Sequence, residues 1–298
     1  MIMKKKKKHL GILQWILMAI LFFVTLTMLV PLLHVLARSL SDPSQSASMG
    51  GLEIIPRGFS LINYQVIFSN KNLVPSIFNS IFITLVGTGI NILLTIMAAY
   101  VLTRPNLVGK RILMCFFIVM MLFDPGIVPE YLVIRTLGLM GSQWSVILSQ
   151  AVNVYYLIIM MRYFQAVPTD LCDAARIDGA GHMRILFSVI APLSKAGIAT
   201  LTMFYGVVRW NEYYRAGIYI SSISDVPLQV ILRKFVVDGD VTTLVGTQNL
   251  LDYNALAQLD YTALQYATII VAIIPILLVY PLVLKYYTKD ALAGGVKE

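Results

Sequence analysis

Between Val167 and Pro192 the chain reads VPTDLCDAARIDGAGHMRILFSVIAP, its most closely patterned polar stretch. Pro168 and Thr169 suit a helix start. Asp170 and Asp173 then fall in the first turn, where the N-terminal end of a helix favours negative charge. Leu171, Ala174, Ala175 and Ile177 continue the run, and Asp178-Gly179-Ala180 breaks it, because glycine takes the left-handed C′ conformation without steric cost. Met183, Leu186, Phe187 and Ile190 recur at helical spacing and predict a second short helix, Gly181–Ile190, that Pro192 ends. The pattern is a helix, a glycine elbow and a helix, too short for a domain and too regular for a slack loop. Read from the pattern alone, it could lie as an amphipathic pair on a membrane surface.

A second group of chemically capable residues is Arg209-Trp210-Asn211-Glu212-Tyr213-Tyr214-Arg215, at the end of an apolar run. Indole and phenol faces suit sugar rings, while amide, carboxylate and guanidinium groups suit hydroxyls, the mixture found in mostly apolar pockets with a few polar fixers. The same aromatics could instead form an interfacial belt, and Arg209 with Glu212 could be a helical i,i+3 pair. Asn153, Tyr155 and Tyr156 lie within another apolar run. Polar groups there face a bundle interior or a cavity, and serve either a ligand or helix packing.

Catalysis is not visible. There is no Walker lysine loop, no G-x-S-x-G and no HExxH. His9, His34 and His182 have no zinc-ligand spacing, and Cys115 and Cys172 imply no disulfide.

The elements that must position these residues are membrane spans. Hydrophobic residues make up 58% of the chain and charged residues 13%, with a mean hydropathy of +0.78, which excludes an ordinary soluble domain. Six runs approach the roughly 20 apolar residues a span needs: Gly11–Leu36, Ile77–Leu102, Ile112–Val128, Trp144–Met161, Gly197–Tyr213 and Leu264–Leu284. The expected fold is an all-α integral membrane protein, because lipid leaves an open backbone unsatisfied. The apolar stretch after Lys4–Lys8 exceeds the 7–15 residues of a signal-peptide core, so it reads as a retained first helix.

Charge orients the spans. With the N-terminus inside, Lys4 to Lys8, Arg104, Lys110, Arg111, Arg162, Arg176, Arg184, Lys195, Lys285, Lys289 and Lys297 are all internal, most of the 23 Lys and Arg. The acids divide the other way. The net charge of +8 thus reads as positive-inside topology with both termini cytoplasmic, and not as a nucleic-acid surface. The expected organisation is residues 1–36 as basic N-terminus and first span, 37–76 as an external segment and 77–284 as a core of five spans. That core includes a cytoplasmic loop, 162–196, and an external loop, 214–263; residues 285–298 form a cytoplasmic tail. Phe123-Asp124-Pro125-Gly126 predicts an irregular end to the third span, with Asp124 serving the turn or a substrate.

The run Asp173-Ala174-Ala175, Asp178-Gly179-Ala180, Phe187 and Pro192 resembles the cytoplasmic "EAA" loop of binding-protein-dependent ABC importer permeases, E-A-A-x3-G-x9-I-x-L-P. Asp173 replaces the Glu, Val189 the Ile and Ala191 the Leu, while Gly179 and Pro192 keep register. Asn63-Tyr64, Leu137-Gly138-Leu139 and the tail Tyr286-Tyr287…Gly294-Gly295-Val296-Lys297 also resemble that family, and Trp210-Asn211 and Val226-Pro227-Leu228-Gln229 with Leu232-Arg233 resemble its carbohydrate branch. The tail departs from the pattern at Gly295 and Glu298. The resemblance covers the chain from the second span onward.

It implies a type I ABC importer permease fold and a transmembrane subunit of an ATP-driven carbohydrate importer, with oligosaccharides as the substrate class. Its implied partners are a second homologous permease, a cytoplasmic ATPase dimer docked on the elbow, a lipidated or secreted extracellular substrate-binding protein, and membrane lipid. No cofactor is implied for this chain, since ATP and Mg would be used by the ATPase. A secondary transporter or channel subunit is the alternative. Such proteins usually carry intramembrane acids or inverted repeats, and neither is visible here.

Overall fold

The computed structural model describes residues 11–240 and 260–294, with side chains through Pro281. The basic run Lys4–Lys8, residues 241–259 of the expected external loop and the tail beyond Gly294 lie outside the described residues. In chain order the helices are α1 (Ile12–Ser39), α2 (Pro43–Ser46), α3 (Ile62–Ser69), α4 (Leu73–Thr103), α5 (Lys110–Leu122), α6 (Ile127–Thr136), α7 (Gln143–Ser149) and α8 (Val154–Gln165). They continue as α9 (Thr169–Ile177), α10 (His182–Ile185), a π-helical turn at Leu186–Ile190, α11 (Ala191–Leu193), α12 (Lys195–Trp210), α13 (Tyr214–Tyr219), α14 (Leu228–Val236) and α15 (Tyr261–Gly294).

Among the described residues three helices are long and apolar enough to cross a bilayer alone: α1, α4 and the Tyr261–Pro281 part of α15. Three bent pairs could each serve as one further span: α5 with α6 at 117°, α7 with α8 at 54°, and His182–Leu193 with α12 at 86°. The third run, Ile112–Val128, ends irregularly as expected: its helix stops at Leu122, and Phe123 to Gly126 turn the chain. The Asp124 carboxylate accepts the Gly126 N–H at 2.9 Å and Gly126 sits at φ 76°, so Asp124 serves the turn. The fourth run, expected as one helix over Trp144–Met161, is two helices, because the Asn153 side chain caps the start of α8 by accepting the Tyr156 N–H at 3.2 Å.

The chain divides into two compact units. The first holds residues 1–70 and 245–271. Within it α1 exposes Leu13, Ile16, Leu17, Phe22 and Phe23, as a lipid-facing helix does. Only its last turns are packed, where His34 Nδ1 donates to the Glu53 carbonyl at 2.8 Å and Asn63 donates to the Ser39 and Ser41 carbonyls. Arg38 pairs with buried Asp260 at 3.1 Å, and Ser46 Oγ donates to the same carboxylate at 2.6 Å. Burial raises the Asp260 pKa, but Ser46 and Arg38 outweigh it and hold the carboxyl below its ordinary range.

The second unit, residues 71–244 and 272–298, is built around α4, against which α7, α8, α12 and α14 pack. Ile96, Ala99, Tyr100 and Leu102 of α4 meet Leu157, Met160, Met161 and Phe164 of α8 and Leu201 of α12. Close approach is set by Gly197, where an added Cβ would overlap the Tyr163 ring.

Candidate functional site

The elbow forms as its local chemistry dictates. α9 starts after Pro168, with Asp170 in its first turn, and Asp173 pairs with Arg176 at 2.8 Å. It ends in a Schellman arrangement: Gly179 N–H donates to the Arg176 carbonyl at 3.0 Å and Ala180 N–H to the Ala175 carbonyl at 2.9 Å. Gly179 holds the left-handed turn at φ 79°, as the motif requires. The base of the elbow is rooted in the core of the second unit. Cys172, Ile185, Leu186 and Ile190 are buried with the residues of α4 and α8, and Ala175 and Ala180 pack against them. Tyr100 Oη and His182 Nδ1 form a hydrogen bond of 2.9 Å that ties α10 to α4.

The outer side of the elbow is exposed and partly apolar. Ile177 is 87% accessible, and Leu171, Met183 and Phe187 are also exposed. Asp173, Ala174, Asp178, Gly179 and Pro192 are exposed beside them. Pro192 does not end the second helix as expected. Helical backbone runs on to Leu193, and the turn before the proline widens to π spacing. That widening accommodates a ring that would otherwise meet the carbonyl four residues earlier and an N–H that is missing.

The second candidate group is drawn apart. Arg209 is 3% accessible and points inward. It donates to the Val146 carbonyl at 2.6 Å, to the Ile147 and Gln150 carbonyls at 2.8 Å each, and to Asn91 Oδ1 at 3.0 Å. Glu212 does not pair with it at helical spacing. Beyond the end of α12, Glu212 accepts the Arg215 N–H at 3.0 Å and pairs with that guanidinium, which also holds Glu130 at 2.8 Å. Burial works against the Arg215 charge, but Glu130 and Glu212 outweigh it and raise its pKa. Trp210 is buried, with no partner for its indole N–H among the described residues. Asn211 donates back to the Val207 carbonyl at 2.8 Å.

Asn153, Tyr155 and Tyr156 do lie together, at the start of α8. Tyr155 is 60% accessible. Tyr156 packs edge-on against Tyr205 with centroids 4.8 Å apart, and lies 5.8 Å from the Phe204 ring. Four residues around this point were not signalled as functional by the sequence: Asn91, Thr95, Gln150 and Tyr205. The visible hint was polarity inside apolar runs, Asn91 and Thr95 being spaced one helical turn apart. Among the described residues no group of three His, Cys, Asp or Glu could hold a metal ion.

No family model matches the chain. Individual proteins do. The polygalacturonan/rhamnogalacturonan transport system permease protein YtcP of Bacillus subtilis (strain 168) is 36% identical over 93% of this chain and 95% of its own length. Protein LplC of the same organism is 35% identical over 90% of this chain and 89% of its own. Among solved structures, a bacterial ABC transporter involved in the import of the acidic polysaccharide alginate aligns with a TM-score of 0.86 and 28% identity. That alignment covers 93% of this chain and 96% of the other.

Proposed function

The chain belongs to the permease subunits of carbohydrate ABC transport systems, and from that premise we propose how its parts divide the work of import. As a multi-pass membrane protein of that family it pairs with a second, homologous permease. The elbow Asp173–Pro192 docks on a cytoplasmic ATPase, which binds ATP and Mg and performs the hydrolysis. A substrate-binding protein delivers the sugar on the other side. The basic residues of the sequence put the elbow and both termini in the cytoplasm. The polygalacturonan/rhamnogalacturonan relative and the alginate importer favour an oligosaccharide as cargo.

The observation that carries this reading is the elbow itself. Its inner face is fixed in the core by Cys172, Ile185, Leu186 and Ile190, while Ile177 stands almost fully exposed at the turn. Rigid attachment on one side and an uncovered apolar tip on the other are what transmission of a docking force requires. The substrate path runs past the start of α8, where Asn153, Tyr155 and Tyr156 supply an amide, phenols and ring faces. None of these is charged, so this part of the path reads hydroxyls and ring faces rather than carboxylates.

Cysteine capture tests the docking. In a chain with Cys115 replaced by Ala, Ile177→Cys should cross-link to a cysteine placed in the docking cleft of the ATPase, and Leu13→Cys should not. Equal cross-linking from both positions, or none from Ile177→Cys, would remove the elbow from the ATPase interface.

A further inference from the structure

We propose that Tyr205 and Arg209 are positioning residues that hold the break between α7 and α8 in its transport-competent shape. The inference rests on the permease reading given above. The two side chains stand one turn apart on α12, and their partners Asn91 and Thr95 stand one turn apart on α4. Together they form two rungs, one on each side of the break.

The first rung holds the end of α7. Arg209 donates to the Val146, Ile147 and Gln150 carbonyls, and Asn91 both accepts from Arg209 and donates to the Gln150 carbonyl at 2.9 Å. The last carbonyls of a helix have no partner within it, and at membrane depth water is not there to replace one. Their partial negative charge also favours a cation. Gly87 leaves the guanidinium its space, since a Cβ there would lie 3.2 Å from Arg209 Nε.

The second rung holds the start of α8. Tyr205 Oη accepts the Asn153 N–H at 3.1 Å and shares a 2.8 Å hydrogen bond with Thr95 Oγ1. Between the rungs, residues 150–153 are not helical. A continuous helix would satisfy these backbone groups internally. A broken one survives in lipid only where other protein groups satisfy them, and here those groups come from one face of α12 supported by α4. Tyr155 and Tyr156 follow directly after the second rung, so the rungs fix where the path-lining rings stand. Arg209, which from its type and place could be a sugar ligand, acts on the path through α7 instead.

The test uses the assembled importer, with its second permease, ATPase and binding protein, in proteoliposomes. The readout is sugar moved per ATP hydrolysed, a ratio that a smaller yield of complex does not change. Tyr205→Phe removes one oxygen and keeps the ring against Tyr156; Arg209→Lys keeps the charge but not the fork of donors. Each should lower the ratio by about fivefold, the order expected for one lost hydrogen bond. The double variant should be no worse than the more severe single one, since both act on one element.

A wild-type ratio in Tyr205→Phe would overturn the proposal. So would loss in Arg209→Lys alone, which would make Arg209 a contact of the sugar, and so would multiplied losses in the double variant. If Arg209→Lys does not assemble, Tyr205→Phe decides by itself. A wild-type complex that moves no sugar would instead refute the permease reading on which the proposal stands.

Discussion

Replacing Gly179 separates backbone geometry from side-chain contact at the elbow. Its φ is 79°, and a Cβ built there meets nothing within 4 Å. Any cost of substitution is therefore conformational. An L-residue in the left-handed region costs roughly 1–2 kcal/mol, and asparagine less because its short polar side chain tolerates it. A β-branched residue lies at the upper end of about 1–3 kcal/mol. If only the Schellman form docks, the apparent affinity for the ATPase falls with the fraction of chains that keep it. For Gly179→Ala that is at most about five- to thirtyfold, from roughly 1–2 kcal/mol at RT of about 0.6.

The expected order of ATPase affinity is Gly, then Asn, then Ala, then Val, with substrate-stimulated ATP hydrolysis following it. Asparagine is larger than alanine, so this order cannot arise from bulk. Titration of the ATPase onto each purified variant would measure it. Equal affinities across the series, or alanine outperforming asparagine, would refute the conformational argument. Insertion of the spans should survive in every variant, because the elbow is anchored through Cys172 and Ile185 rather than through Gly179.

Gly197→Ala should lower the thermal stability of the purified chain by an amount equivalent to about 1–3 kcal/mol, the usual range for overpacking, and Tyr163→Ala in the same chain should recover part of it. Asp173→Asn should change the stability of α9 by no more than about 0.5 kcal/mol, because its ion pair with Arg176 is exposed and such pairs contribute little; a large loss of helicity or of Tm would show otherwise. Asp260 has a folded pKa below its unfolded value near 4, so its stabilisation is present above about pH 4 and is lost as pH falls through the lower folded value. The wild-type Tm should therefore drop more steeply than that of Asp260→Asn across that interval, and parallel curves would refute the assignment.

Legibility from the sequence followed locality. The elbow could be read because its causes lie within a few residues: an acid in a first turn, a Gly at C′, an apolar helical spacing. Of the two acids expected in that turn only Asp170 is there, while Asp173 lies further along and pairs with Arg176. The turn at Asp124-Pro125-Gly126 was readable for the same reason. Pro192 misled, since a proline normally ends a helix and the compensating π turn has no composition of its own. The break between α7 and α8 was hidden because Asn153 looks the same in a continuous apolar run whether it caps a helix or crosses one.

Arg209 was the hardest to place. Its type and position suggest a ligand or a partner for Glu212, yet most of its acceptors are carbonyls in and just after α7, far away in sequence and carrying no side-chain signal. Only Asn91 and Gly87 on α4 mark the space it occupies, and nothing in their own segment says for what. Backbone acceptors supplied by tertiary packing leave no pattern to read.

The most direct measurement is sugar uptake into proteoliposomes with three preparations in parallel: this chain alone under an ion gradient, the assembled importer with ATP, and the assembled importer with a non-hydrolysable ATP analogue. The permease account predicts uptake only in the second, since on that account this chain supplies half of a translocation path and the ATPase supplies the nucleotide site. Gradient-driven uptake by the chain alone would contradict it and make the protein a secondary transporter.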